Sequence, residues 1–342
     1  MRRRDFMAGS AATAAVGVAG WPVCAEINAG APVPKRIALV HPNLPPEQLT
    51  SSGRRGFKAY FQELDRLGYI EGKNLIVERY SVLGRHDRTE EIARAIVGSR
   101  PDLILPLSGA LTRALKPLTA TIPILALTAD PVAGGIVTSL GKPDGNITGV
   151  STDAGLEVYS KRLQLLVETA RRLANVRFLT TTTSHWLWET KAGGALRDAA
   201  GRAGISIDAA LVSTPVDQAA YEQIFEAMER DHVDGLIVND AGDHATYRQL
   251  IADLAARYRL PAIYPYREFV DAGGLLSYGI DLVDLFRRLA VLTNEVLRGA
   301  KPGDIPYYQM TKFDLVLNRA TARSLGLDFP PILLATANDV IE

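Results

Sequence analysis

The chain is poor in cysteine, in paired histidines and in net charge, and each shortage removes a class of function. Cys24 is the only cysteine in 342 residues, so neither a disulfide framework nor a thiolate metal site can form within the chain. The five histidines stand at 41, 86, 185, 232 and 244. No two of them have metal-ligand spacing and there is no His-Glu-x-x-His, so they read as surface or internally satisfied residues. No Gly-x-Ser-x-Gly elbow is present, which leaves Ser108 without the local signature of an acyl-transfer nucleophile. The stretch GGIVTSLGKP has the wrong glycine spacing for a phosphate-binding loop, and Pro143 stands where Ser or Thr is required. Lys+Arg and Asp+Glu both number 38, which gives no electrostatic footprint for nucleic acid or anionic lipid. Aromatics are only 7% of residues, so clusters of them near one another carry information.

The first 25 residues, MRRRDFMAGSAATAAVGVAGWPVCA, are set apart. A basic start precedes a mildly apolar Ala/Gly run shorter than the roughly 20 residues a membrane span needs. Small residues follow before Glu26. This is the pattern of an export signal cleaved near Ala25, and Arg3-Arg4 with Phe6 and Met7 gives it a twin-arginine character. Cys24 falls at or before the cut, and lipidation there lacks the usual preceding residues. Cleavage removes three arginines and one aspartate, taking the formal net charge from zero to −2.

From Lys35 onward, short apolar runs alternate with amphipathic stretches. RIALV, NLIVERY, DLILPL, IPILAL and NITGV form one series, with GFKAYFQELDRLGY and EEIARAIVGS among the intervening helices. NVRFLTTTT, ISIDAALV, DGLIVND, LPAIYP and GGLLSYG form a second. Strands that are apolar throughout and separated by helices indicate parallel sheets covered on both faces. RPDLILPLSGALTRALKPLTATIPILAL and HVDGLIVNDAGDHATYRQLIADLAARYRLPAIY share a plan, which is a weak repeat of a whole α/β unit. The chain length suits two such units. The reading is therefore an α/β protein of two doubly wound parallel-sheet lobes. Residues 35–151 plus 278–306 make the first lobe, and 152–277 plus 307–342 the second. The joins fall at GVSTD, at LLSYGID and where IPYYQMTKFDLVLN crosses back, so three crossovers form a hinge that can close on a ligand.

Several segments carry a resemblance: LGYIEGKNLIVERY, IPILALTADPVAGGIVTSLGKPDGNITGVS, LPAIYPYREFVDAGGLLSYGID and TKFDLVLNRATARSLGL. The chain resembles the ABC transporter substrate-binding proteins of the "ABC sub bind" type, which include tryptophan- and tyrosine-binding members. The resemblance spans roughly residues 35–342. It implies a type I periplasmic-binding-protein fold with the ligand held between the lobes. It departs from the family pattern at TTTTSHWLWE, where an Asn-Pro pair is common, and at the acidic continuation AGDHATY after GLIVND.

Ligands of doubly wound lobes sit outside the carboxyl ends of the strands. Those ends offer Asn43, Ser108, Gly109, Thr128 and Asp130 in the first lobe and Ser184, Trp186, Asp240, Tyr264 and Tyr266 in the second. The crossover adds Tyr278. Ser108-Gly109 precedes a helix, so Ser108 is an N-cap and the free N–H groups beside it suit a carboxylate. Asp130 ends an apolar strand before Pro131. It caps the next turn or pairs with a ligand ammonium, and Asp240 has the same two options. Trp186 and Trp188 stand two apart at a helix start and cannot share a face. Trp186 is the one expected toward the cleft, with Tyr266 and Tyr278 completing a ring-binding surface.

The expected function is a periplasmic solute-binding protein, delivering a small amino-acid-like or aromatic acid to permease subunits of an ABC importer in the inner membrane. It is expected to act as a monomer, without cofactor or metal, and to catalyse nothing. An exported α/β enzyme using Asp130 or Asp240, or a ligand-sensing partner of a membrane receptor, are the alternatives. A transcriptional regulator would need an N-terminal helix-turn-helix where the export signal stands.

Overall fold

The computed structural model describes residues 33–342 apart from Ala154, Arg171 and Thr183. The expected export signal and Cys24 lie outside the described residues. Among those described, no helix is long and apolar enough to cross a membrane.

Two sheets form. In chain order the strands are β1 (Lys35–His41), β2 (Leu75–Ser81), β3 (Leu103–Pro106), β4 (Ile124–Thr128), β5 (Ile147–Ser151), β6 (Asn175–Thr181), β7 (Ser206–Val212), β8 (Gly235–Val238), β9 (Ala262–Tyr264), β10 (Leu276–Ile280), β11 (Tyr308–Gln309), β12 (Phe313–Asn318) and β13 (Asp339–Ile341). The first sheet has the order β11-β5-β4-β3-β1-β2 and the second β13-β12-β10-β9-β8-β6-β7. All the pairs are parallel except β10 with β12. The exception has a topological cause. The chain leaves the second sheet after β10, visits the first sheet as β11, and re-enters the second from the opposite end.

The apolar runs became strands because both faces are covered. Every residue of β3, β5, β8 and β9 is buried, as a parallel sheet between helical layers requires. The first lobe is closed by two helices. Helix Arg55–Arg66 buries Phe57, Tyr60, Phe61 and Leu64 on one face, the spacing of an amphipathic helix. It packs on helix Leu282–Leu297, which buries Leu285, Phe286, Leu289, Leu292 and Val296. The contact is close at Gly56, where a Cβ would lie 2.5 Å from the Phe286 ring. The Phe57 and Phe286 rings then meet edge to face at 5.0 Å, and the Tyr60 and Thr293 hydroxyls are 3.0 Å apart in the buried seam.

The chain crosses between sheets after β5, after β10 and after β11. The second crossing falls later than the sequence places it. LSYG looks like a strand end, but Tyr278, Gly279 and Ile280 continue the ladder against Leu315, Asp314 and Phe313. Asp281 then turns the chain by accepting from the Val283 N–H at 2.8 Å, capping helix Leu282–Leu297. The third crossing is later as well, because Tyr308 and Gln309 pair with Val150 and Ser151 in the first sheet.

Candidate functional site

The carboxyl ends of both sheets face a cleft between the lobes. Two adjoining cavities occupy it, each of about 550 Å³, within the range of small-molecule sites. The inner one is lined from the first lobe by His41, Arg54, Phe57, Ser108, Leu127 and Thr128, from the second by Asp240, Arg248, Tyr266, Glu268 and Phe269, and by Thr152 at the first crossing. Phe286 closes its hinge side. The outer one is lined by Asn43, His86, Arg113, Asp130, Ser184, Trp186 and Asp243. Ser108, Gly109, Thr128, Ala129 and Gly242 border both.

Direct bonds hold the lobes together. Asn43 Nδ2 donates to Asp243 Oδ1 at 3.0 Å, Arg54 Nη1 to the Ala245 carbonyl at 3.3 Å, and Arg55 pairs with Asp271 at 3.0 Å. A larger concavity of about 980 Å³ lies between helices Glu157–Thr169 and Gly193–Ala203. It belongs to the second lobe alone, and Glu157, Lys161, Glu168, Asp198 and Arg202 line much of it. The cleft is the better candidate because its walls come from both lobes and from strand ends.

The residues that the sequence singles out are distributed as follows. Ser108 Oγ accepts from the Leu111 N–H at 3.2 Å and caps helix Gly109–Leu115. Thr128 is buried, with its hydroxyl 3.3 Å from that of Tyr307. Asp130 Oδ1 accepts from the Val132 and Ala133 N–H groups at 3.0 and 2.9 Å. Those bonds make it a turn cap on the wall of the outer cavity. Ser184 accepts from Asn239 Nδ2 at 3.2 Å, with the Thr181 hydroxyl 2.8 Å away. Trp186 is 45% exposed at the outer rim. Trp188 turns inward, stacked on Phe178 at 5.6 Å.

Tyr264 and Tyr278 line neither cavity. Tyr264 ends β9 with its ring in the lobe core, stacked on Phe269 at 5.0 Å. The Tyr278 ring stacks on Phe313 at 5.8 Å beside the core of the second lobe. Tyr266 does line the inner cavity, and its hydroxyl donates to the Asp240 carbonyl at 3.4 Å.

Asp130→Ala is therefore expected to lower unfolding stability by about 1 kcal/mol, the worth of a lost cap. It should leave ligand affinity within about threefold. Urea titration and calorimetry on the same preparation check both halves of that expectation.

The inner cavity is the more strongly charged. Burial pushes the Asp240 carboxyl up, with the nearby Arg162 guanidinium holding back the rise. Arg162 is only 2% exposed and its Nε donates to the Tyr278 carbonyl at 2.8 Å. Burial likewise pushes Glu268 up. His41 is pulled down to about 3 by burial and then by the Arg54 charge. Its Nδ1 accepts from the Asn43 and Leu44 N–H groups at 3.0 and 2.9 Å, which leaves a neutral ring with its proton on Nε2. Arg54 is pulled down to about 10, by burial first and then by Arg248.

Arg54, Arg248 and Glu268 were not found from sequence. They lie at or beside helices, where charges read as solvated. The available signal was position, since Glu268 follows the end of β9 by four residues.

Comparison with known proteins settles the class. The family model described as ABC transporter substrate binding protein matches residues 52–341. The chain belongs to that family. It is a substrate-binding protein of ABC transport rather than an enzyme, and it works with ABC transporter components. A Clostridioides difficile protein named tyrosine-binding protein is 25% identical over 273 residues, covering 79% of this chain and 76% of that one. A Streptococcus pneumonia ABC domain solved in complex with L-Trp superposes with a TM-score of 0.77 at 21% identity, covering 90% of this substrate-binding protein and 100% of that chain. A conserved domain protein of Vibrio cholerae superposes at 0.76 with 22% identity, covering 90% and 99%. These likenesses establish the type I periplasmic-binding-protein fold.

Proposed function

We propose that the substrate is a small amino-acid-like molecule with a flat apolar part, held in the inner cavity. The observation that carries this reading is the composition of that cavity. Phe57, Tyr266, Phe269 and Phe286 supply ring and apolar surface, and the Asp240 carboxylate stands among them. Aromatic faces suit a planar side chain, and a desolvated carboxylate suits an ammonium. Asp240 takes the role that the sequence offered first to Asp130, whose carboxylate caps a turn at the outer wall. The tyrosine-binding name of one similar protein and the L-Trp complex of another support the same substrate class.

A calorimetric panel of amino acids and aromatic acids tests the proposal. Aromatic amino acids are expected to bind most tightly, and binding confined to sugars would overturn the reading.

The protein is further proposed to be exported to the periplasm, cleaved near Ala25, and to act as a monomer that delivers its substrate to inner-membrane permease subunits. Arg3-Arg4 ahead of a mild apolar run motivates the export route. Replacing both arginines with lysine is expected to leave uncleaved precursor in the cytoplasm. Unchanged export of that variant, followed by immunoblotting of cell fractions, would remove the twin-arginine assignment.

A further inference from the structure

The inner cavity holds two guanidiniums, one from each lobe, that form no ion pair among the described residues. Arg54 comes from the first lobe, just ahead of helix Arg55–Arg66, and Arg248 from the second, at the start of helix Arg248–Arg257. Both line the cavity. Arg54 Nη1 donates to the Ala245 carbonyl at 3.3 Å, and Arg248 Nη1 donates to the same oxygen at 3.2 Å. Glu268 is the carboxylate that acts on both charges, without a salt bridge to either.

The carboxylates nearby are committed elsewhere or disfavour charge. Asp271 is taken by Arg55 and by Arg267, at 3.0 and 3.3 Å. Glu268 sits where burial favours its neutral form. Two half-buried cations brought together from opposite lobes repel each other; Arg54 is lowered first by burial and then by Arg248, with Glu268 opposing. His41 adds a neutral Nε2–H donor on the same wall. Two guanidiniums from opposite lobes and a neutral N–H donor line a cavity whose carboxylates, Asp240 and Glu268, form no ion pair with either arginine, which makes the pair a site for an anion.

We propose that Arg54 and Arg248 form a two-lobe clamp that takes the carboxylate of the substrate. The clamp rests on the reading of the inner cavity as the substrate site and says which end of the molecule goes where. With the carboxylate between the arginines and the ammonium at Asp240, an amino acid spans the cavity with its side chain against the phenylalanines. The clamp also explains how binding drives closure. Without an anion, closure brings like charges together. With one, each lobe gains a charge-assisted contact available only when the cleft is shut, so the ligand favours the closed state by differential affinity. The start of helix Gly109–Leu115 is the weaker place for the carboxylate, because Ser108 Oγ already serves that helix and its groups are uncharged.

The test is calorimetry on the mature chain with L-tryptophan, L-tyrosine and indole propionate, each beside its own primary carboxamide. The parent is expected to bind acids about thirtyfold or more tightly than amides. Arg54→Gln and Arg248→Gln should each remove most of that preference, by weakening the acid about thirtyfold while leaving the amide within about threefold. Equal binding of acid and amide by the parent overturns the clamp and leaves the wider substrate reading standing. The same holds if either glutamine variant keeps the parent's preference. Failure of every acid and amide to bind the parent overturns the wider reading, and the clamp with it. If a glutamine variant does not fold, the acid-to-amide ratio of the parent decides alone.

Discussion

Asp240→Asn is expected to weaken binding of an aromatic amino acid about a hundredfold or more, while binding of the same acid without its amino group stays within about threefold. The expectation follows from what the carboxylate faces. Asp240 lines the inner cavity and burial raises its pKa, so its charge is poorly solvated and gains strongly from an ammonium brought against it. Truncating one partner of a desolvated charge pair costs about 3–5 kcal/mol, and 1.4 kcal/mol is tenfold in affinity. Asparagine keeps the shape and removes the charge, so packing is held constant. Calorimetry with L-tryptophan and indole propionate separates the two terms. Equal losses for both ligands would mean that Asp240 acts through the fold, by neutralising Arg162, which is 2% exposed with an Nη1 that has no partner.

Lowering the pH from 7 to 5 is expected to remove about 4 kcal/mol of unfolding stability, through two histidines held neutral by the fold. His244 is fully buried and pulled down to about 3 by burial, from 6.5. Its Nδ1 lies 2.7 Å from the Tyr221 hydroxyl and its Nε2 lies 3.2 Å from the Leu179 carbonyl. His41 is also pulled down to about 3. In both cases the unfolded chain binds a proton that the folded chain refuses. The stabilisation is therefore complete above pH 6.5 and falls as the pH drops toward 3. Each histidine loses roughly 2 kcal/mol between pH 7 and 5. Asp240 and Glu268, whose folded pKa values are raised, act in the opposite sense and offset part of that loss. Urea midpoints measured at pH 5, 6, 7 and 8 give the slope directly. His244→Gln should flatten it by about half. A midpoint that stays constant from pH 7 to 5 would show that neither ring resists protonation.

The fold was legible because burial on both faces leaves a strong mark on a strand. IALV, LILP, ILAL and GLIV contain no charge, since all of their residues but Leu127, at the cavity wall, are buried. The hinge was legible in outline only. SYG resembles a strand exit, and what keeps it in the sheet is the antiparallel partner β12, about forty residues away and invisible to local pattern. The site divides in the same way. Ser108, Gly109, Thr128, Asp240 and Tyr266 follow from the rule that ligands sit beyond strand ends, and the inner cavity brings them together. Tyr264 and Tyr278 satisfy the same rule, but their rings turn into lobe cores. Which way a ring turns depends on what packs above the strand. Arg54, Arg248 and Glu268 escape the rule altogether. A charge beside a helix usually faces water, and only the meeting of the two lobes places these three in a shared cavity. For Asp130 the sequence allows a cap or a ligand group, and the turn geometry after it shows the cap.

A crystal structure of the mature protein carrying the molecule it retains through purification tests the assignment of the cleft most directly. It is expected to show one small molecule in the inner cavity, touching both lobes, with a flat part beside Phe57, Tyr266 and Phe286 and a polar end at Asp240. A molecule seated instead in the groove between helices Glu157–Thr169 and Gly193–Ala203, with the cleft empty, would contradict it.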